Sequence, residues 1–140
     1  MYQLGKIDIS IYRCVTDNIA TDELIITEKQ IEHILQRHPK DFKNAQDIFR
    51  SVIEAVSLPD YIVESDKPNS AFILKVLNNS EKSRLIVRLK TCKDPENYKN
   101  SVITFQKVRE REWNRILRNK KILYKSPSLP YTKDKDRKDF

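Results

Sequence analysis

Glycine is the residue this sequence most conspicuously lacks. One glycine, Gly5, stands among 140 residues, where average usage near ~7% would place roughly ten. No loop can then wrap consecutive backbone amides around a phosphate, which excludes both a P-loop and a dinucleotide fingerprint. Any bound anion must be held mainly by side chains. Cysteine is nearly as scarce: Cys14 and Cys92 are far apart and form no C-x-x-C pair, so free thiols are expected rather than a zinc site or a disulfide framework. No apolar run approaches the ~20 residues needed to span a bilayer. Residues 1–10 lack the basic start and unbroken apolar segment of a secretory signal, so a cytoplasmic protein without membrane contact is expected.

Each half is short of one sign of charge in turn. Residues 1–66 hold 7 Lys or Arg against 12 Asp or Glu, a balance of −5; residues 67–106 hold 8 against 3, and residues 107–140 hold 12 against 5. The formal total is +7. An acidic first half followed by a basic second half suggests a polyanionic partner met mainly by the second.

Residues 4–16 place Ile7, Ile9 and Ile11 in alternation, which predicts a half-buried strand, and a short strand is expected at Glu23 to Ile26. Thr27-Glu28-Lys29-Gln30 reads as a capping box opening a helix that Pro39 must end near His38. Ile31, Ile34, Leu35 and His38 share one face of it, whereas His33 and Arg37 lie on another. A second helix is predicted at about Asn44 to Val56. After Pro59 the period changes, and Tyr61 to Ser65, Ala71 to Leu77, Ser83 to Lys90 and Ser101 to Gln106 read as strands joined by Asn- and Asp-rich turns. Those residues tolerate left-handed backbone and can replace the missing glycines. Arg109 to Asn119 predicts a last helix, apolar along Trp113, Ile116 and Leu117. The expected fold class is α+β: N-terminal helices, then an antiparallel sheet of about four strands, then a C-terminal helix. One domain over residues 1–125 is expected, with a disordered, alternately charged tail over 126–140.

The segment Ser83 to Lys90 separates Leu85, Val87 and Leu89 from Arg84, Ile86, Arg88 and Lys90, so one face packs and the other is cationic. If Phe72, Leu74 and Val76 also take the packed side, Lys75, Arg88, Lys90 and Thr104 converge on one open face, with Ser101 near a strand end. Arginine can grip a phosphodiester through two hydrogen bonds and lysine supplies a point charge. The solvated side of a half-covered sheet would show the same pattern. A histidine that titrates near ~6.5 can take and return a proton at neutral pH, as cleavage of RNA by its own 2′-hydroxyl requires. A helix-end histidine can equally satisfy backbone carbonyls. Two-metal chemistry needs clustered carboxylates, and the acidic residues Asp94 and Glu96 near the basic strands lie in a turn; no metal or cofactor is expected.

The run Ile26 to Ile34 through Arg37-His38-Pro39, then Pro59-Asp60-Tyr61-Ile62, Leu85 to Thr91, Tyr98 to Phe105, Trp113-Asn114-Arg115 and Leu117 to Tyr124 resembles the phage-associated nucleases of the barnase, EndoU, colicin and RelE-like superfamily. The resemblance covers about residues 8–125. It implies a metal-independent endoribonuclease, of phage, mobile-element or toxin-system origin, with His38 as general acid or base. Arg88 and Lys90 would stabilise the pentacovalent phosphate, and Ser101 or Thr104 would hydrogen-bond it. His33 is the other histidine open to the acid or base role. Lys75, Arg37, Tyr98, Arg111, Arg115 and Arg118 are implied as RNA-binding residues. RNA, including tRNA, is the expected partner, with an immunity or antitoxin protein as a second. The alternative is a catalytically silent phage protein that binds nucleic acid or another protein through the same surface.

Overall fold

The computed structural model describes residues 1–129. Its elements are β1 (Tyr2–Lys6), α1 (Ile9–Tyr12), β2 (Glu23–Ile26), α2 (Glu28–Arg37), α3 (Ala45–Ser57), β3 (Tyr61–Val63), β4 (Ser70–Val76), β5 (Lys82–Arg88), β6 (Asn100–Lys107), α4 (Glu110–Asn119) and β7 (Ile122–Lys125). All seven strands form one sheet in the order β1-β2-β6-β5-β4-β3-β7. This corrects the expected four-stranded antiparallel sheet with helices first. The four expected strands β3 to β6 do pair antiparallel, but β1 and β2 extend one side and β7 the other, and β2 pairs parallel to β6. The chain also opens on a strand.

Residues 4–16, expected as one strand, divide between the end of β1 and the helix α1. Ile7 is buried, but the Asp8 carboxylate accepts from the Ser10 amide at 3.0 Å and caps a one-turn helix, so Ile9 and Ile11 belong to α1. Elsewhere local chemistry and structure agree. Thr27 Oγ1 accepts from the Gln30 amide at 3.2 Å and starts α2; Asn44 Oδ1 accepts from the Asp47 amide at 3.0 Å and starts α3. Left-handed backbone falls on Asn69 (φ 59°) and Ser80 (φ 69°), in two of the expected turns.

The sheet is covered on both faces. On one, Tyr12, Ile34, Ile48 and Val52 pack against Ile73, Leu85, Val87 and Phe105. On the other, Trp113 and Ile116 of α4 pack against Tyr61, Val63, Phe72 and Leu74 in a smaller core that leaves much of β5 and β6 uncovered. Beyond β7, the Ser126 amide donates to the Asp60 carbonyl and Leu129 joins this second core. The rest of the expected tail, residues 130–140, lies outside the described residues.

Candidate functional site

The uncovered part of the α4 face is a groove of about 560 Å³. Its floor is Phe72 and Ile86, with Ile103 at its border. Its walls are Ser65 to Pro68 from the loop between β3 and β4, Ser70 of β4, and Lys120 at the end of α4, with Arg84 and Arg88 rising from β5. Lys67, Arg84, Arg88 and Lys120 stand against one carboxylate, Asp66. That carboxylate accepts from Lys120 Nζ at 2.9 Å.

Cross-strand register places the cations. Arg84, Ile86 and Arg88 pair with Leu74, Phe72 and Ser70, and on the other side Ile86 pairs with Thr104 and Arg88 with Ser101. Arg88, Ser101 and Thr104 therefore share one face, as expected. Lys75 does not: it pairs with Ser83, and its ammonium donates to the Leu58 carbonyl at 2.6 Å beside Asp60. The expectation that Phe72, Leu74 and Val76 leave the cationic face is thereby corrected. Because α4 covers part of that face, both faces of β4 bear apolar residues, and alternation alone does not say which set joins the arginines.

Arg88 Nη1 and Nη2 donate to the two carboxylate oxygens of Asp94 at 3.1 and 2.9 Å, and Nη1 also donates to the Leu89 carbonyl. Asp94 accepts in addition from the Thr91 amide at 2.8 Å. The Thr91 amide and then Arg88 hold the Asp94 carboxyl below the usual carboxylate range. The guanidinium is thus fixed on one edge, while its side chain keeps 33% exposure toward the groove. Arg84 lies with its guanidinium carbon 4.5 Å from the Phe72 ring centroid and its Nη1 3.6 Å from Glu112 Oε2. Burial lowers its pKa from the ordinary arginine value against the pull of Glu112.

The histidines part ways. His38 caps α2, its Nδ1 3.9 Å from Asp41 Oδ2, and Asp41 in turn accepts from the Lys107 amide. Lys107 and Ser101, the partner of Arg88, lie at opposite ends of β6, and six residues of strand span roughly 20 Å. The structure does not bring His38 to Arg88. His33 instead borders a smaller depression of about 240 Å³ with Lys29, Gln30, Ile103 and Thr104, so it shares Ile103 with the groove. Lys90 Nζ donates to the Glu96 carbonyl at 2.9 Å. Tyr98, Arg37, Arg111 and Arg118 are exposed; Arg115 pairs with Glu112 at 2.8 Å. Arg111 and Arg115 border a separate depression beside α4.

Sequence reasoning passed over Lys67, Arg84 and Lys120. Arg84 carried a signal, since it alternates in phase with Arg88; Lys67 reaches the groove from the loop between β3 and β4 and Lys120 from the end of α4, positions outside any periodic pattern. Cys14 and Cys92 are unpaired thiols, and burial raises the pKa of the first. Among the described residues no three His, Cys, Asp or Glu side chains cluster as a metal-ligand set, and no helix is long and apolar enough to cross a membrane.

A family model described as phage-Barnase-EndoU-ColicinE5/D-RelE like nuclease2 matches residues 1–125. No curated protein and no solved structure matches the chain.

Proposed function

Because the chain belongs to the phage Barnase-EndoU-ColicinE5/D-RelE like nuclease 2 family, we propose that the groove cleaves RNA without a metal ion. The observation that carries this reading is the groove itself: four cations line a partly apolar floor, and one of them, Arg88, is clamped by Asp94. A pre-oriented arginine stabilises charge developing on a phosphorane without reorganising at the moment of reaction. The groove's one carboxylate is already paired with Lys120, whereas a two-metal site needs several carboxylates free.

In the proposed reaction the substrate's 2′-oxygen bonds to the adjacent phosphorus as a base removes its proton. The bond from phosphorus to the 5′-oxygen breaks, that oxygen takes up a proton, and the products are a 2′,3′-cyclic phosphate and a 5′-hydroxyl. His33 is the histidine nearer the groove and takes the proton-transfer role, with Thr104 and Ser101 as hydrogen-bond donors to the phosphate. Arg88 and Arg84 hold the reacting phosphate, and Lys67 and Lys120 the neighbouring ones.

The test is incubation of bulk RNA and tRNA in EDTA with the wild type and with Arg88→Ala, His33→Ala and His38→Ala. Cleavage by the wild type is expected, with a loss of about 10²–10³-fold in Arg88→Ala, the scale of removing one transition-state donor. His33→Ala should lose activity, and His38→Ala should keep it. Unimpaired cleavage by Arg88→Ala would sink the site. Binding of RNA with no product from the wild type would favour the silent nucleic-acid-binding alternative.

A further inference from the structure

The strand β6 carries a bulge at the mouth of the site. Ile86 pairs with Thr104 but Val87 pairs with Val102, so Ile103 is the extra residue. The break turns Ile103 outward to 40% exposure between Val102 at 1% and Phe105 at 0%. A large β-branched side chain on the third strand of a seven-stranded sheet is thereby held in solvent rather than in either core. It also separates two depressions: the cationic groove floored by Phe72 and Ile86, and the smaller one bordered by Lys29, Gln30, His33 and Thr104. Both depressions carry cations, and both end on the same isoleucine.

We propose that Ile103 is a wedge that splays two successive nucleotides of single-stranded RNA, one base entering each depression. The proposal rests on the reading of the groove as an RNA site and names its substrate class. Cations on both sides suit a polyanionic strand that crosses the bulge. The half-buried Ile86 offers a base an apolar contact, the Arg84 guanidinium over the buried Phe72 ring offers a planar one, and the Gln30 amide offers a donor and an acceptor to a base edge. The Gln30 side chain makes no hydrogen bond among the described residues. Bases in an A-form duplex are stacked and paired away from such a wedge, so single strands, loops and bulges are the fitting form. A wedge also separates the ribose from the following nucleotide, which lets the 2′-oxygen align with the leaving 5′-oxygen. Ile103 is therefore a positioning residue, and it acts on the geometry of the substrate.

The experiment uses the full chain and single-stranded RNA oligonucleotides blocked by a 2′-O-methyl group at the cleaved nucleotide, with 2-aminopurine placed at each position in turn. This base brightens when it leaves the stack. Wild type should brighten it at the positions flanking the blocked phosphodiester. Ile103→Ala should bind within about threefold of wild type, since every cation remains, yet lose the brightening, and Ile103→Val should restore part of it. On unblocked RNA, Ile103→Ala should lower kcat with KM nearly unchanged. Equal brightening in Ile103→Ala and wild type would overturn the wedge, as would absence of brightening in the wild type or equal cleavage of fully paired RNA. Equal brightening of an all-deoxy strand would overturn the assignment to RNA. If only the nuclease reading fails, unblocked RNA yields no product while brightening and its loss in Ile103→Ala persist, which upholds the wedge.

Discussion

Arg88 is useful to the site because it is not free. A lone arginine on a strand samples many rotamers, and each productive contact would cost ordering entropy at the moment of binding. Here the Asp94 carboxylate, itself fixed by the Thr91 amide, takes two N–H groups and the Leu89 carbonyl a third, which holds the side chain in place at the groove. The Asp94 pKa is depressed, so its contribution to stability is present above the ordinary carboxylate value near ~3.9 and is lost as the pH falls through its lowered value. Asp94→Asn should therefore melt below wild type at neutral pH, and the gap in Tm should close below about pH 4. A gap that widened in acid would contradict the clamp. The same variant should slow cleavage less than Arg88→Ala, because the guanidinium stays but its aim is lost. Of this arrangement the sequence showed Arg88, through alternation with Leu85, Val87 and Leu89. It did not show Asp94 as the partner, because a turn residue six positions later carries no periodic signal.

At the scale of elements, what was legible had a local cause. Thr27 and Asn44 cap α2 and α3 where side-chain chemistry asks for caps, Pro39 stops α2, and the meander from β3 to β6 follows from alternation between turn-forming residues. What escaped was non-local. The bulge at Ile103 breaks the alternation, so Ile103, two residues from the buried Phe105, is exposed. The strand β7 is four residues that end in Lys125 and follow closely on α4, with no alternation to mark it. The parallel pairing of β2 with β6 depends on Asn100, fully buried, whose Nδ2 donates to the Thr21 carbonyl and whose Oδ1 accepts from the Lys90 amide, both at 2.7 Å. One side chain thus ties the end of β5 and the entry to β2 to the start of β6, the strand that carries Ser101 and the wedge. Asn100→Ala leaves two half-buried backbone groups without this partner and should cost about 2–4 kcal/mol in urea unfolding. A loss under about 1 kcal/mol would mean that water replaces the amide and that the parallel junction is held elsewhere.

For the whole molecule the relevant quantity is not the net charge of +7 but how much of it is already engaged. The acidic first half supplies Asp66, whose carboxylate holds Lys120, so the asymmetry seen in the sequence folds back on itself at the groove. Glu112 sits near Arg84 and Asp94 grips Arg88. A phosphate entering there displaces or shares a carboxylate on three of the four cations instead of releasing a condensed counterion from each. Affinity for a single strand should then fall with salt less steeply than four free charges would require: at about −0.7 per neutralised phosphate in the slope of log K on log salt, four would give roughly −3, and the wild type should be shallower. Lys120→Ala should flatten the slope by less than about 0.7. Asp66→Asn should tighten binding at low salt and steepen the slope, because it frees Lys120 to act as a full counter-charge. Filter binding of a blocked oligonucleotide between 50 and 300 mM salt would measure all three. A wild-type slope beyond about −4, unchanged in Lys120→Ala and Arg88→Ala, would place the RNA on the unpaired lysines and arginines outside the groove and remove the electrostatic basis of the site.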